Sequence, residues 1–541
     1  MHRRKAIKPH PGNANRGPTM QSTTQPRPEA DAPTPPPRPS SSLRRVASKD
    51  FGYDQARHLF WRAGFGGTPA QIRTLATMGV EEAVALLVDT SRAAKPDPVA
   101  ADRFSADIMK PLSDEERRQY RAAQQSRDEN VLAQFRLRRQ QQQRTDRRQI
   151  ADLQRWWLER MIETPRPLEE KMTLFWHGHF ASGYRKVENS YHMFQQNQMF
   201  RANAIGNFGA LLGAIIRDPA MLGYLDNQLN RRAAPNENLA REIMELFALG
   251  EGNYTENDIK EGARALTGYS FEGNDFVFRQ NFHDTGSKRL FGRSGNFDGE
   301  DFVQIILAQR ACSEFIAKKI YEYFVAEVPV DRRDPAYDPI VSVIKQMART
   351  LVQHKYELAP MLTELFESEH FYSQRFVCEQ IKSPVQLVVG AVRSLNTPVR
   401  DLGILNDALN LMGQQLFEPP SVAGWSGGRS WINTSTLFVR QNILTFLLTG
   451  KTPSGYDPLA QIERHESTAL LDDLAKVQPG ADRDAKQVAA FLARFTLGPN
   501  PSPERLRVLN NFVDTTGARV TTDTVTGMLA LLTAMPEYQL C

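Results

Sequence analysis

TLFWHGHFASGYRKVENSYHMFQQNQMF, residues 173–200, is the stretch on which the reading of this chain turns. It holds three of the ten histidines within sixteen positions, and His177 and His179 are separated only by Gly178. The preceding KMTLFW is apolar and helix-compatible, and FASGY reads as an exit. Residues two apart on an α-helix project about 200° from each other, so a regular helix does not aim both histidines at one ion. A bend at Gly178 would turn both inward, and His192 joins them only if a helix over 190–217 folds back. Two readings follow: a metal or proton-transfer centre, or the polar end of a buried helix.

Working outward, helical spacing dominates. In FGYDQARHLFWRAGFGGTPAQIRTLATMGVEEAVALLVD, Ala56, Leu59 and Phe60 share a face; Thr68 before Pro69 starts a second helix, continued by Ile72, Leu75 and Met78. Gly64, Gly66 and Gly67 lie between helices with no strand before them, which makes them a tight turn and not a dinucleotide loop. Residues 112–160 predict long helices forming an arm, opened by Ser113 with Glu116 at capping-box spacing and stopped by Pro165–Pro167. Residues 117–150 carry ten arginines against three acids, a surplus of seven, without the interleaved aromatics of a nucleic-acid-stacking surface. Trp156 and Trp157 mark where this arm meets the core. Helices are predicted over 168–180, 190–217, 237–250 and 256–267, with Thr255 and Asp258 as a capping pair. A hairpin is predicted within 276–292, around Asp284-Thr285-Gly286, as part of an insertion spanning 271–299. No strand–helix–strand rhythm or fixed-period repeat appears. The fold class is predominantly α: an irregular multi-helix fold over residues 49–541 with a small β-hairpin insertion.

Composition narrows the function classes. The net charge of +5 arises at the N-terminus: residues 1–50 hold ten Lys/Arg against three Asp/Glu, leaving the remainder near −2. Ten prolines in the same fifty residues predict a disordered, Pro/Arg-rich tail over 1–48. Specific nucleic-acid recognition is not expected from this balance, and weak attraction to polyanions is. No run of eighteen apolar residues predicts a membrane span. The three cysteines are too scattered for a disulfide framework or a Cys-rich zinc site. No secretory h-region follows the basic start, so a cytoplasmic location is expected, with an exported or envelope location as the alternative if translation starts elsewhere.

Carboxylates available to the histidines concentrate in NENLAREIMELFALGEG. Glu237, Arg241 and Glu245 follow i, i+4, i+8 spacing, which exposed makes an Arg-centred surface ladder and buried makes hydrogen-bond partners for imidazole, water or a metal. The candidate centre therefore consists of His177, His179 and His283 as metal ligands, zinc or another divalent cation being the suited type, with Glu237, Glu245, Arg241 and Arg264 as acid–base and charge-stabilising groups. A structural His–carboxylate network and unrelated surface groups remain open beside it. The pair His283-Asp284 also reads as a simple turn, with Asp284 bonded toward Gly286. GWSGG, residues 424–428, matches G-x-S-x-G around Ser426 but follows FEPPSVA and not a hydrophobic strand, so it reads as a glycine turn. Trp425, Ser426, Arg429 and Trp431 make it a candidate binding loop.

Several stretches in combination resemble the bacterial family called domain of unknown function 1800. They are HLFWRAGFG, TLFWHGHFASG, PNENLAREIMELFALGEGNYTENDIKEGARALTGY, FHDTGSKRLFG, KSPVQLVVGAVRSLN and GWSGGRSWINTSTLFVRQN, together spanning about residues 50–450. The family's FWH-x-HF segment falls on Phe175, Trp176, His177, His179 and Phe180. Its NENxAREL-like segment falls on Asn236–Glu242, with Ile243 where leucine is common, and its ARALTG segment on Ala263–Gly268. The resemblance implies a helix-rich, cell-associated or exported protein with no established reaction. It also implies a protein partner, a sulfatase-like protein encoded nearby being one candidate. The function expected is a protein-binding or assembly component with a structural His/Glu/Arg centre; the alternative is a metal-dependent hydrolase using a His/carboxylate-bound water.

Overall fold

Local sequence signals set most helix starts in the computed structural model, which describes residues 38–94, 96, 100, 102–451 and 463–541. Thr68, Ser113 and Thr255 each accept the N3 backbone N–H, from Gln71, Glu116 and Asp258, whose side chains bind back to the cap. These reciprocal bonds satisfy two of the donors that a helix start leaves free. Helix dominates the described residues, and two small antiparallel hairpins interrupt it. The apolar faces meet in one continuous core that runs from Val46 to Tyr538.

The hairpins differ from expectation in place and number. Tyr269–Glu272 pairs with Asp275–Phe278, and Lys288–Leu290 pairs with Arg293–Gly295. The turns fall at Gly273 and at Phe291-Gly292, where positive φ occurs. The segment around Asp284-Thr285-Gly286, expected as the hairpin centre, is the loop between them. Asp284 Oδ1 accepts the Gly286 N–H there at 2.8 Å, which completes a local turn and leaves no ladder to pair.

Two further elements depart from the sequence reading. The helix expected over 190–217 breaks into Ser190–Ala202 and Phe208–Ile215, and Asn207 caps the second through Ala210 N–H at 3.1 Å. The segment 237–250 is α-helical only over Asn238–Glu242 and continues as a π-helix over Ile243–Ala248. Of the tail expected over 1–48, residues 1–37 lie outside the described residues. From Ser40 onward the expectation of disorder is corrected. Val46 N–H donates to Glu367 O at 2.9 Å, Glu369 N–H donates to Arg44 O at 2.8 Å, and Val46 is buried. Leu43 and Val46 supply the apolar anchors that the preceding proline run lacks.

Helix ends inside this core leave carbonyls without an i+4 donor. Buried basic and imidazole side chains supply it. Arg62 donates to Phe324 O and Val325 O at the end of Arg310–Phe324, and Arg57 to Phe495 O and Thr496 O at the end of Ala485–Leu497. Lys171 donates to Gly64 O beyond Tyr53–Arg62, and His465 to Leu395 O at the end of Pro384–Leu395. Positive or hydrogen-bond-donating groups at these ends also complement the negative pole of the helix dipole.

Candidate functional site: a closed polar centre on the motif helix

The motif helix, Pro167–His179, is buried along nearly its whole length. Its two histidines point to different partners, as a two-residue helical separation requires. His177 Nε2 accepts the Phe417 backbone N–H at 3.0 Å, so the His177 proton resides on Nδ1. His179 Nε2 donates to Phe247 O at 2.8 Å, so that ring carries its proton on Nε2. The two imidazoles thus hold opposite tautomers. Burial pushes the basicity of both down to about 3, and the Lys319 charge opposes protonation of His179 further. At neutral pH neither ring carries charge.

Each backbone partner is itself unusual. Phe417 sits at φ +63, a left-handed conformation that costs an L-residue about 1–2 kcal/mol, and its carbonyl accepts Tyr184 N–H at 2.9 Å. Phe247 lies in the π-helix, where the i→i+5 winding displaces carbonyls from the α ladder. The motif histidines therefore pin two irregular segments to one helix end. Gly178 between them has a different partner. The Trp425 ring lies where a Gly178 side chain would make contact at 3.4 Å, and a Cβ on Gly424 would stand 2.0 Å from Gly178 O. HGH and GWSGG, read separately in the sequence, meet as one glycine-to-glycine contact, with the His177 and Trp425 rings 5.5 Å apart.

The remaining expected site residues do not join the histidines. Glu237 and Glu256 flank Arg241 at 3.1 and 3.0 Å in a half-exposed to exposed ladder. Glu245 accepts the Tyr254 hydroxyl at 2.9 Å. Arg264 bridges Asp284 at 2.7 Å and Glu261 at 2.8 Å, which holds the loop between the hairpins. His283 is buried and donates from Nδ1 to Thr267 O at 2.8 Å. Among the described residues, no group of three or more His, Cys, Asp or Glu side chains is placed to hold a metal ion. The residues offered as zinc ligands are not brought together: His177 spends its free lone pair on the Phe417 N–H, His179 is tied to Phe247 on another segment, and His283 lies on the loop between the hairpins. In the GWSGG loop, Gly424, Gly427 and Gly428 all have positive φ, Ser426 and Arg429 are exposed, and Trp431 is buried. The loop is a turn, not a strand-to-helix elbow.

Sequence reasoning missed the strongest polar centre, two helical turns before His177. Glu170 is fully buried, and both carboxylate oxygens are occupied. Oε1 accepts Arg160 Nε and Arg201 Nε at 2.6 Å each; Oε2 accepts Trp157 Nε1 and Arg201 Nη2 at 3.0 Å each. Burial alone would raise this carboxyl, but the two guanidinium groups hold it below its ordinary value. Trp157 continues the network, its ring standing edge-on to His177 at 5.4 Å. The available signal was a charge on the face Glu170–Leu174–His177 of a helix otherwise read as apolar. A cavity of about 740 Å³ abuts this centre, lined in part by Glu169, Arg201, Ile205 and Pro360.

A helix-rich scaffold organised around a buried polar centre, with Glu170 bonded through both oxygens and the motif histidines bonded to backbone groups, is the class that this fold and site define. The chain belongs to the family described as protein of unknown function (DUF1800), whose model matches residues 58–540. No curated protein and no solved structure matches it. Among the described residues no helix is long and apolar enough to cross a membrane.

Proposed function

We propose that the chain is a protein-binding or assembly component, with the motif histidines and Glu170 serving to hold its shape. The observation that carries this reading is the helical arm, Asp114–Ser126 and Glu129–Glu163. The second helix runs 35 residues, and its buried side chains begin only at Asp146. Ala123 is the one buried residue of the first helix. At 1.5 Å per residue, about 25 Å of the second helix and about 20 Å of the first therefore contribute almost nothing to the core. The two helices are closed on each other by the Tyr120–Phe135 ring pair at 5.3 Å and the Arg138–Glu116 ion pair. The exposed face of this arm suits contact with another molecule.

A sulfatase-like protein encoded nearby is the first candidate partner. The test is purification of the tagged full chain from its native cell at low and high salt, with partner stoichiometry measured. A stoichiometric partner recovered under both conditions is expected. Recovery of none under gentle conditions would overturn the proposal, and substrate turnover by the isolated chain would favour the enzyme alternative. Hydrolysis through a metal held by His177 and His179 is not favoured, because the Nε2 of each ring is tied to a backbone group on a different segment and, among the described residues, no group of three or more His, Cys, Asp or Glu is placed to hold a metal.

A further inference from the structure

Arg136, Arg139, Gln140, Gln143, Arg144 and Arg147 recur at i, i+3, i+4, i+7, i+8 and i+11 on the long arm helix. That spacing places them on a single stripe about 16 Å long. Arg138, outside the stripe, turns to the neighbouring helix to meet Glu116. All four stripe arginines are exposed. Arg136 and Arg139 have only exposed partners, Glu129 at 2.8 Å and Glu188 at 3.4 Å, pairs of the kind that contribute little. Arg144 and Arg147 have no hydrogen-bond or ion-pair partner among the described residues. The stripe ends at a cleft of about 450 Å³, lined in part by Arg147, Tyr184, Arg185, Gln415 and Phe417. Its floor is fixed, because Phe417 is held through both its N–H and its carbonyl. Glu418 is the one carboxylate in the lining, and burial raises it above its ordinary value.

The geometry points to this stripe and the cleft at its root as a docking track for an acidic polypeptide segment, and we propose that occupant. This rests on the protein-binding reading above and names the partner's chemistry. Guanidinium forks match carboxylates in paired hydrogen bonds, and the glutamines between them offer donors to the partner's backbone. Nucleic acid fits less well. Of the arm's aromatics, Tyr120 and Phe135 are turned on each other and Trp156 and Trp157 are buried in the core, so none offers a base-stacking face. A lipid surface fits less well too, because Leu137, exposed at the edge of the stripe beside Arg144, is a single apolar side chain and not the apolar face that enters a bilayer.

The experiment measures binding of the full-length chain to three probes by fluorescence anisotropy or co-sedimentation: a glutamate-rich peptide, a DNA duplex of matched charge, and phosphatidylserine vesicles. Arg144→Glu/Arg147→Glu is compared with Arg349→Glu/Arg519→Glu, which makes the same charge change elsewhere on the exposed surface. Unchanged helical circular dichroism establishes that each variant folds. The peptide is expected to bind best, with affinity falling at least about tenfold in the stripe variant and less than about twofold in the control. Equal losses in both variants, no peptide binding, or preference for the duplex or vesicles would overturn the proposal. Self-association of the wild-type chain that the stripe variant abolishes would also overturn it, by assigning the track to a second copy. Native-cell purification of the stripe variant separates the two readings. If the stoichiometric partner is retained, the docking track fails and the protein-binding reading stands; if the wild-type chain recovers none, that reading fails.

Discussion

Gly424→Ala is the sharpest perturbation of the contact between the two motifs. Gly424 sits at φ +76, where an alanine costs about 1–2 kcal/mol in backbone strain. Its Cβ would also stand 2.0 Å from Gly178 O, and that oxygen belongs to a buried helix backbone that cannot swing aside. Overpacking of a rigid site adds about 1–3 kcal/mol, for a total of about 2–5 kcal/mol. Gly252 provides the control. Its φ is +80 and nothing lies within 4 Å of its Cβ position, so Gly252→Ala carries the strain without the clash. With an unfolding entropy of about 2.1 cal/mol/K per residue over a unit of about 500 residues, 1 kcal/mol shifts Tm by about 1 °C. Calorimetry should therefore show Tm lowered by about 2–5 °C in Gly424→Ala and by about 1–2 °C in Gly252→Ala. Indistinguishable shifts would refute the claim that HGH and GWSGG are locked by close backbone approach.

Glu170→Gln should destabilise by about 3–5 kcal/mol, since it leaves Arg160 and Arg201 buried against a neutral amide, whereas Glu237→Gln in the half-exposed ladder should cost under about 1 kcal/mol. Denaturant titration of the two variants decides it, and equal losses would contradict the assignment of the polar centre to Glu170. His177 and His179 are neutral in the fold, with values near 3 against 6.5 in the unfolded chain. The unfolded state therefore binds the extra protons between about pH 6.5 and 3, and stability falls as pH drops through that window by about 1.4 kcal/mol per unit for each histidine. His177→Phe should make the dependence between pH 6 and 5 shallower by about that amount; an unchanged slope would show that His177 is not buried neutral. His179→Phe leaves Phe247 O without its donor and should cost about 1–3 kcal/mol, with amide exchange quickening first across Ile243–Ala248. Protection unchanged there would show that His179 does not hold the π-segment.

Most of the helical fold was legible in the sequence because its signals are local. Thr68, Ser113 and Thr255 cap helices through residues three positions away, and the apolar spacing of Ile72, Leu75 and Met78 needs only the 3.6-residue period. The awkwardness of HGH as a metal grip was also legible, since helix geometry alone sends His177 and His179 to different sides. What tertiary structure decided was what waits on each side. The partners are Phe417 N–H, 240 residues away in sequence, and Phe247 O, 68 residues away. No periodicity carries such pairings, and a backbone group has no residue type to recognise. Glu170 was hidden for the same reason: its carboxylate reads as a solvated charge until Arg160, Trp157 and Arg201 arrive from two other helices. Gly178 and Gly424 each read as local turn residues. Only the packing of one loop against one helix end makes glycine necessary at 424, where a Cβ would stand 2.0 Å from Gly178 O, whereas a Cβ on Gly178 would rest in ordinary contact with the Trp425 ring at 3.4 Å.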